Sequence, residues 1–218
     1  MSAAQTPAER ARERGVTELL HFTSHPGLIG ILASGKVQSR DNLRADEYLE
    51  EIMLLNSPSR ARDAAWTGYV KLSVSRVNSR FMGSSRGWHA HEGVWWACLS
   101  FDVGILDHEG VWFSTTNNAY EVTERATGIE GFEAMFGPKV AWGTYGSVCR
   151  RTPSTPDHFT TDPQAEVLYP GAVDLSHLRA IYVPEEERTD DVAAYLAGLY
   201  APDSLQAVPC LYRPDVFG

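Results

Sequence analysis

The sequence predicts an α+β protein with a largely antiparallel sheet. Short apolar or alternating runs, typical of strands, recur along the chain, while helix-like segments are concentrated near its two ends. The chain has 218 residues and an ordinary globular composition, and no linker or change of composition marks a domain boundary. We therefore expect one domain over residues 1–218 with a full hydrophobic core.

The first part of the chain predicts, in order, a short charged helix, a strand and two further helices: 5–14, 16–23, 26–34 and 43–55. Pro26 suits the first turn of the second helix, and Gly35 follows it where a left-handed C-cap is favoured. Asp41 or Asn42 is the expected N-cap of the third helix.

From residue 69 onward the pattern predicts mainly strands. The strand-like runs are YVKLSVS (69–75), WWACLSFD (95–102), VWFST (111–115), QAEVLYP (164–170), RAIYVP (179–184) and LQAVPCLY (205–212). Helices are expected over 129–136 and 189–200. Residues 150–163 contain three prolines and no apolar pattern, so they predict an exposed loop.

Charge and cysteine usage narrow the function classes. The net charge is −9, with 12 basic and 9 acidic residues in 1–90 but 7 and 19 in the rest. A general nucleic-acid coating protein is normally basic, so any nucleic-acid contact here must be local and supplied mainly by the first half. No apolar run approaches the roughly 20 residues of a membrane span, and the start of the chain lacks the apolar region of a secretory signal. Three scattered cysteines without a CxxC motif indicate a reducing cytoplasm.

Common catalytic motifs are missing from the sequence. GxGxxG, GxxxxGK[ST], GxSxG and HExxH do not occur, which removes the usual dinucleotide, phosphate-loop, hydrolase and zincin interpretations. His89 and His91 would share a face of a strand, but no third metal ligand is near, so we expect no metal site. None of the cysteines lies in a setting typical of a nucleophile.

Three features are specific only in combination: His21-Phe22-Thr23 at the end of the first strand, Arg60 and Arg62 before YVKLSVS, and Gln164-Ala165-Glu166 after the long polar loop. On a strand, side chains two residues apart share a face, so the sequence predicts Gln164 and Glu166 side by side. Taken singly, each feature is more typical of an ordinary structural residue, such as a core or edge histidine in a strand or a glutamate in a salt bridge.

On these residues the chain resembles the DarT-type ADP-ribosyltransferases. The similarity runs from about residue 16 to 184 and is carried by LLHFTSHPGLIGILASGKV, YVKLSVS and DPQAEVLY. It implies the ADP-ribosyltransferase fold, with two mainly antiparallel central sheets around an NAD cleft and flanking helices. It also implies transfer of ADP-ribose from NAD, without a metal, onto a base of single-stranded DNA. The implied context is a bacterial toxin or phage-defence enzyme whose partner is a macrodomain antitoxin.

The resemblance also assigns site residues. The catalytic pair it implies is Glu166 and Arg62, with Arg60, Arg40 and Arg44 as alternatives for the arginine. The implied NAD-binding residues are His21, Phe22, Thr23, Gly30 and Ser73. The implied lining of a further cleft strand comes from Ser114, Thr115, Asn117 or Asn118. Thymidine-modifying members carry aromatic residues where this chain has Ser73 and Ser75, which leaves the target base open.

The residue types fit this chemistry on their own. Cleaving the bond between nicotinamide and ribose builds positive charge on the sugar, which a carboxylate such as Glu166 stabilises. Arginine supplies charge and a bidentate fork for a diphosphate. An enzyme that modifies a base needs an unstacked base, and cations paired with aromatic rings bind single strands. The candidate substrate contacts are Gln164, Arg76, Arg80 and Arg150, followed by Arg86, Trp88 and Arg151.

Two alternatives keep the fold and change the function. The first is transfer to RNA or protein, which the acidic net charge favours and in which Gln164 would contact the acceptor. The second is a non-catalytic module that binds NAD or a nucleotide.

Overall fold

The computed structural model describes residues 5–45, 61–90, 93–143 and 146–217. The α-helices in these ranges are α1 (Pro7–Glu13), α2 (His25–Ser34), α3 (Arg40–Ala45), α4 (Ser79–Trp88), α5 (Gly128–Ala134), α6 (Arg188–Gly198) and α7 (Asp203–Gln206). The strands are β1 (Leu19–Ser24), β2 (Lys36–Gln38), β3 (Tyr69–Val74), β4 (Trp96–Phe101), β5 (Trp112–Ser114), β6 (Arg125–Thr127), β7 (Lys139–Ala141), β8 (Val148–Arg150), β9 (Glu166–Pro170), β10 (Ala172–Asp174), β11 (Leu178–Val183) and β12 (Cys210–Tyr212).

The central sheet has eight strands in the order β12-β11-β4-β1-β3-β9-β5-β6. Among the described residues its neighbouring strands are antiparallel, apart from the parallel pair β11 and β12. The predicted α+β class with a mostly antiparallel sheet is therefore confirmed. The two halves of the central sheet meet where β1 and β3 pair, through Leu19 with Val74 and Leu20 with Ser73. Beyond Leu20 the ladder between these two strands stops, and the sheet divides there.

Apolar side chains fill both sides of this sheet. The larger cluster contains Leu19, Phe101 and Phe113, and the smaller contains Leu20 and Phe22. Successive side chains of a strand point to opposite faces, so β1 directs Leu20 and Phe22 away from the face that carries Leu19. His21 and Thr23 point to the same face of β1 as Leu19. Sequence position alone thus decides which residues of β1 enter which layer.

Most predicted elements of the first part are confirmed. Helices α1 and α2 lie where expected, and Gly35 ends α2 with φ 71°. Helix α3 begins earlier than predicted, at Arg40, and the expected caps Asp41 and Asn42 lie inside it. The capping oxygen belongs to Ser39, whose Oγ accepts from the Asn42 N–H at 3.3 Å. Residues 46–55 of the predicted helix lie outside the described residues.

Two expectations in the rest of the chain were wrong, and one helix was not predicted. The run LQAVPCLY is not one strand, because its first two residues end α7 and only Cys210–Tyr212 pair with β11. The loop 150–163 is not exposed throughout, since Thr160, Thr161 and Asp162 at its end are buried. Helix α4 was not predicted, because two glycines lower its helix propensity; the Asn78 side chain caps it through the Phe81 N–H at 3.0 Å.

Residue 131 must be a glycine for α5 to pack on the sheet. A Cβ at Gly131 would lie 2.6 Å from the carbonyl carbon of Ala126 and 3.1 Å from Phe113 Cδ2. The backbone of Ala126 is paired with Phe113 in the β5–β6 ladder, so moving it aside would disturb the sheet, and we expect Gly131→Ala to lower the free energy of unfolding by about 2 kcal/mol. Urea denaturation measures this value.

Gly83→Ala in α4 is the matched control for that substitution. A Cβ there meets no atom within 4 Å. We expect Gly83→Ala to raise stability by about 0.5–1 kcal/mol, as alanine does in a helix interior. A Gly131→Ala protein as stable as Gly83→Ala would show that α5 can shift away from the sheet.

No helix among the described residues is long and apolar enough to cross a membrane.

Candidate active site

Glu166 is the first residue of β9 and is only 7% exposed. Its Oε2 accepts a hydrogen bond from the backbone N–H of Asn118 at 2.9 Å. In the antiparallel register Glu166 faces Ser114 of β5, and Ser114 faces Arg125 of β6. Residues directly opposite each other lie on one face of a sheet, so these three form a row across the edge of the sheet.

Arg125 organises the connection between β5 and β6. Its Nε donates to Asn118 Oδ1 at 2.6 Å, and one terminal nitrogen donates to the Asn118 carbonyl at 2.7 Å. Its guanidinium carbon lies 5.4 Å from the ring centroid of Trp66. Burial lowers the pKa of Arg125, and the negative charge of Glu166 acts in the opposite direction. An arginine keeps its charge under such a perturbation, so a fixed cation lies near Glu166.

A buried carboxylate ties this connection to the loop that precedes Glu166. Asp162 is 2% exposed, and its Oδ2 accepts from the hydroxyl of Thr116. Its other oxygen, Oδ1, accepts from the Gln164 N–H at 3.0 Å. The Asp162 carbonyl accepts from the Thr160 hydroxyl at 2.7 Å. Two segments far apart in sequence are thereby joined beside Glu166.

His21 lies at the division of the sheet. Its Nδ1 is 3.1 Å from the carbonyl oxygen of Lys71 on β3. A carbonyl only accepts, so Nδ1 carries the proton and Nε2 of the neutral ring is an acceptor. Thr23 is buried against Gly27, where a Cβ would collide with its hydroxyl. This close contact fixes the step from β1 into α2.

The family comparison decides to which family this chain belongs. The model of the family described as DarT, ssDNA thymidine ADP-ribosyltransferase, matches residues 20–217. The chain belongs to the DarT family. The resemblance carried by the sequence blocks is thus confirmed, and so is the class of enzyme, an NAD-dependent ADP-ribosyltransferase. A comparison with curated protein sequences found no match.

Solved DarT structures share the fold. Thermus sp. 2.9 DarT in complex with NAD+ superposes with a TM-score of 0.59 at 16% identity, over 93% of this chain and 98% of that chain. The same protein in complex with ADP-ribosylated ssDNA gives 0.58 at 15%, over 94% and 97%. Thermosipho africanus DarTG in complex with ADP-ribose gives 0.59 at 15%, over 92% of this chain and 51% of that chain. The predicted ADP-ribosyltransferase fold is confirmed.

The other residues expected to bind NAD lie in different surroundings, from the apolar core to the neighbourhood of Glu166. Phe22 lies in the smaller apolar cluster, with its ring 5.4 Å from that of Phe81, so it is a core residue on the face opposite His21. Gly30 is buried within α2. Ser73 faces Leu20, and extending the β3–β9 register by one pair places it opposite Glu166. The structure thus brings Ser73, but not Phe22, towards the carboxylate of this DarT-family site.

Three of the four candidates for the catalytic arginine have side chains outside the described residues. Arg60 lies outside them, as do the side chains of Arg44 and Arg62, while Arg40 begins α3. The backbone of Arg62 lies in the 3-10 helix Ala61–Trp66. Trp66, the last residue of that helix, stacks on Arg125 and contacts Trp112 with ring centroids 5.7 Å apart. The segment that carries Arg62 therefore ends at the row containing Glu166.

The expected substrate contacts divide into two groups. Gln164 belongs to the loop before β9, and Arg76, which follows β3, contacts that loop: Arg76 donates to the Thr160 carbonyl at 3.2 Å, and its guanidinium lies 4.5 Å from the Phe159 ring. Burial lowers the pKa of Arg76. Gln164 precedes β9, so strand alternation does not set its direction. Arg80 and Arg150 are exposed.

The surface beside the site pairs a cation with aromatic rings. The guanidinium of Arg80 lies 5.6 Å from the ring centroid of Trp142, and Trp142 contacts Tyr120 edge-on at 6.3 Å. Tyr120 belongs to the connection that carries Asn118. A cation and stacking rings are the features by which proteins hold single-stranded nucleic acid.

Thiol and metal chemistry find no support in the described ranges. Burial raises the pKa of all three cysteine thiols, that of Cys210 to about 11, so none is an activated thiolate. No group of three metal-ligating side chains occurs among the residues that the structure describes. His91 lies outside them.

Sequence reasoning missed Arg125, Asp162 and Trp66. Each resembles an ordinary surface or loop residue in the sequence, and no spacing links it to Glu166. Asn118 was weighed only as one of several residues lining the cleft, and nothing in the sequence indicated that its backbone N–H would bind the carboxylate. The register of β5, β6 and β9 brings Arg125 near Glu166, and Asp162 and Trp66 reach the site from the loop before β9 and from the 3-10 helix.

Proposed function

We propose that this DarT-family enzyme transfers ADP-ribose from NAD+ to a thymidine base of single-stranded DNA, with Glu166 as its catalytic carboxylate. The observation that carries the proposal is the placement of Glu166: it is the first residue of β9, buried, and fixed by the Asn118 N–H, in a chain that the family model matches over residues 20–217.

The chemistry follows from the charge that develops on the ribose. As the bond between C1′ and the nicotinamide nitrogen breaks, its electron pair leaves with nicotinamide and C1′ gains positive charge. The Glu166 carboxylate stabilises that charge more than it stabilises neutral ribose, which is the condition for catalysis. A nitrogen of the base then bonds to C1′ and releases its proton, so ADP-ribose is transferred without hydrolysis.

We assign NAD+ binding to the place where the pairing between β1 and β3 stops and the sheet divides. His21 Nε2 is the type of acceptor to which a ribose hydroxyl donates, and the Lys71 carbonyl keeps the ring in the tautomer that this requires. Thr23 and Gly30 belong to the adjoining step from β1 into α2, and Ser73 lies towards Glu166. We assign the diphosphate to an arginine of the segment before β3, with Arg62 first and Arg60, Arg40 and Arg44 as alternatives.

The DNA is assigned to the surface formed by Arg80, Trp142 and Tyr120. A base stacks on an aromatic ring while the arginine pairs with the phosphate backbone, and Arg150 adds a further exposed cation. We propose that the loop before β9, which contains Gln164 and which Arg76 contacts through the Thr160 carbonyl, positions the acceptor beside Glu166. The family description names thymidine, and we propose that base although this chain has Ser73 and Ser75 where thymidine-modifying members carry aromatic residues.

A partner of the macrodomain type fits this activity. This chain covers 51% of the Thermosipho africanus DarTG chain, whose structure contains ADP-ribose. We propose that a macrodomain antitoxin removes the ADP-ribose that this enzyme places on DNA in the cytoplasm. The two proteins would then act as a toxin–antitoxin or phage-defence pair. We also propose that residues 1–218 form one ADP-ribosyltransferase domain.

The acceptor is tested by incubating the enzyme and NAD+ with single-stranded oligonucleotides that differ in one base, with their duplexes and with RNA of the same sequence. We expect mass spectrometry to find ADP-ribose on thymidine-containing single strands and little on duplexes, because a stacked and paired base is inaccessible. Adducts on RNA or protein alone would replace the DNA proposal with the first alternative. NAD+ binding without nicotinamide release would support a non-catalytic module.

A further inference from the structure

We propose that Arg125 is a positioning residue, which holds the carboxylate of Glu166 in its catalytic orientation through Asn118 and does not itself bind NAD+. This inference rests on the proposed role of Glu166. It concerns a residue outside the blocks His21-Phe22-Thr23 and Gln164-Ala165-Glu166, and the structure brings it to the site only through the β5–β6 pairing.

The contacts of Arg125 fix Asn118 at both its side chain and its backbone. Nε faces the side-chain amide at 2.6 Å, and since an arginine nitrogen only donates, the facing atom is Oδ1 and the amide orientation is determined. A terminal nitrogen of Arg125 donates a hydrogen bond to the Asn118 carbonyl oxygen at 2.7 Å. With the residue held at two points, its N–H is directed at Glu166 Oε2 at 2.9 Å.

The donors of Arg125 are nearly all engaged inside the chain. A guanidinium has five N–H groups. Besides the two bonds to Asn118, Arg125 donates to the Thr123 carbonyl at 3.3 Å and to the Tyr120 carbonyl at 3.4 Å. A bidentate grip on a diphosphate needs two parallel N–H groups, and Arg125 has too few left without breaking the contacts that order the β5–β6 connection. This distribution favours positioning over direct NAD+ binding.

Two further observations indicate a rigid arrangement. Asn118 is 1% exposed, and its Nδ2 is buried without a hydrogen-bond partner, a cost that proteins tolerate mainly at functional sites. Trp66 packs its ring against the guanidinium and limits its rotation. The arrangement therefore resists displacement of the Asn118 N–H from the carboxylate.

The consequence for catalysis is specific. Glu166 acts on charge that exists only in the transition state, so a misplaced carboxylate lowers kcat far more than it changes ground-state affinity. We expect Arg125→Met to lower kcat about 30- to 100-fold and to change KM for NAD+ by less than about threefold. Steady-state transfer to a thymidine-containing single strand, followed by mass spectrometry, measures both constants.

Asn118→Ala is the second variant, because it keeps the charge of Arg125 and its contact with Trp66 while removing Oδ1. If Arg125 acts through Asn118, the double variant Arg125→Met/Asn118→Ala should have a kcat within about threefold of that of the slower single variant. Arg125→Lys keeps the charge but has one nitrogen, so it should recover less than about a tenth of the lost kcat. Arg179→Met is the matched control, since Arg179 also donates to a backbone carbonyl, that of Thr17, but from β11; we expect wild-type kinetics.

Each outcome separates this inference from its alternatives. A rise in KM for NAD+ of tenfold or more at unchanged kcat would assign Arg125 to direct binding and overturn the inference. So would wild-type kcat in Arg125→Met, full recovery by lysine, or multiplicative effects of the two single variants. If Glu166→Gln is inactive while Arg125→Met is normal, this inference fails alone; if Glu166→Gln is active, the proposed function fails first.

Discussion

Glu166→Gln should lower ADP-ribosyl transfer by at least about 10³-fold while the enzyme stays folded. Glutamine has the size of glutamate and keeps an oxygen for the Asn118 N–H, which bonds Oε2 at 2.9 Å. It lacks the negative charge that stabilises the ribose cation. The loss should therefore appear in kcat for both transfer and nicotinamide release, with little change in the affinity for NAD+ measured by calorimetry.

The matched control for this substitution is Glu121→Gln. Glu121 belongs to the same β5–β6 connection as Asn118 but is exposed. We expect the control to transfer ADP-ribose at the wild-type rate, and both variants to unfold within a few degrees of the wild type. Retention of more than about a tenth of the wild-type activity by Glu166→Gln would remove the carboxylate from the mechanism.

Asp162→Ala is expected to cost about 3 kcal/mol of unfolding free energy. Its carboxylate is 2% exposed, accepts from the Thr116 hydroxyl and from the Gln164 N–H, and joins the β5–β6 connection to the loop before β9. Alanine leaves both buried donors without an acceptor, and unsatisfied buried donors are costly. Urea denaturation followed by circular dichroism measures the loss, and transfer activity should fall with it because Glu166 follows this loop directly.

Asp157→Ala is the control for the buried carboxylate. Its side chain is 88% exposed, and its ion pair with Arg151 spans 3.7 Å. An exposed ion pair of this kind contributes little, so we expect a change of less than about 0.5 kcal/mol. Asp162→Asn should fall between the two, since its amide keeps one acceptor oxygen. Equal stabilities of Asp162→Ala and Asp157→Ala would mean that Thr116 and Gln164 find other partners.

The elements that the sequence predicted well are those whose pattern is local. Strand β1 and helix α2 were predicted because apolar spacing, Pro26 and Gly35 all lie within the elements themselves. Helix α4 was missed because its stability comes from burial of Met82 and Ser85 rather than from helix-forming residues. The last strand was overextended because Leu205, which looks like a strand residue, packs in the core from a short helix.

The candidate site shows the same division. His21, Thr23 and Glu166 were predicted as site residues because each lies in a short block of sequence that resembles the DarT family. The family model confirms that resemblance, and the roles of the three residues stay predictions. Phe22 was grouped with them by adjacency, yet strand alternation turns it into the core. Gln164 was expected to share a face with Glu166, but β9 begins only at Glu166.

The amino-acid sequence by itself determined the α+β class, the family and the carboxylate at the start of β9, because these depend on residue types and spacing within continuous segments. Only the tertiary structure decided what holds that carboxylate. Asn118 binds Glu166, Arg125 holds Asn118, and Asp162 joins their connection to the loop before β9, all through the register of three strands and the path of two connections. Hydrogen bonds between distant segments depend on atomic positions to within a few tenths of an ångström, and such positions are set by packing of the whole chain.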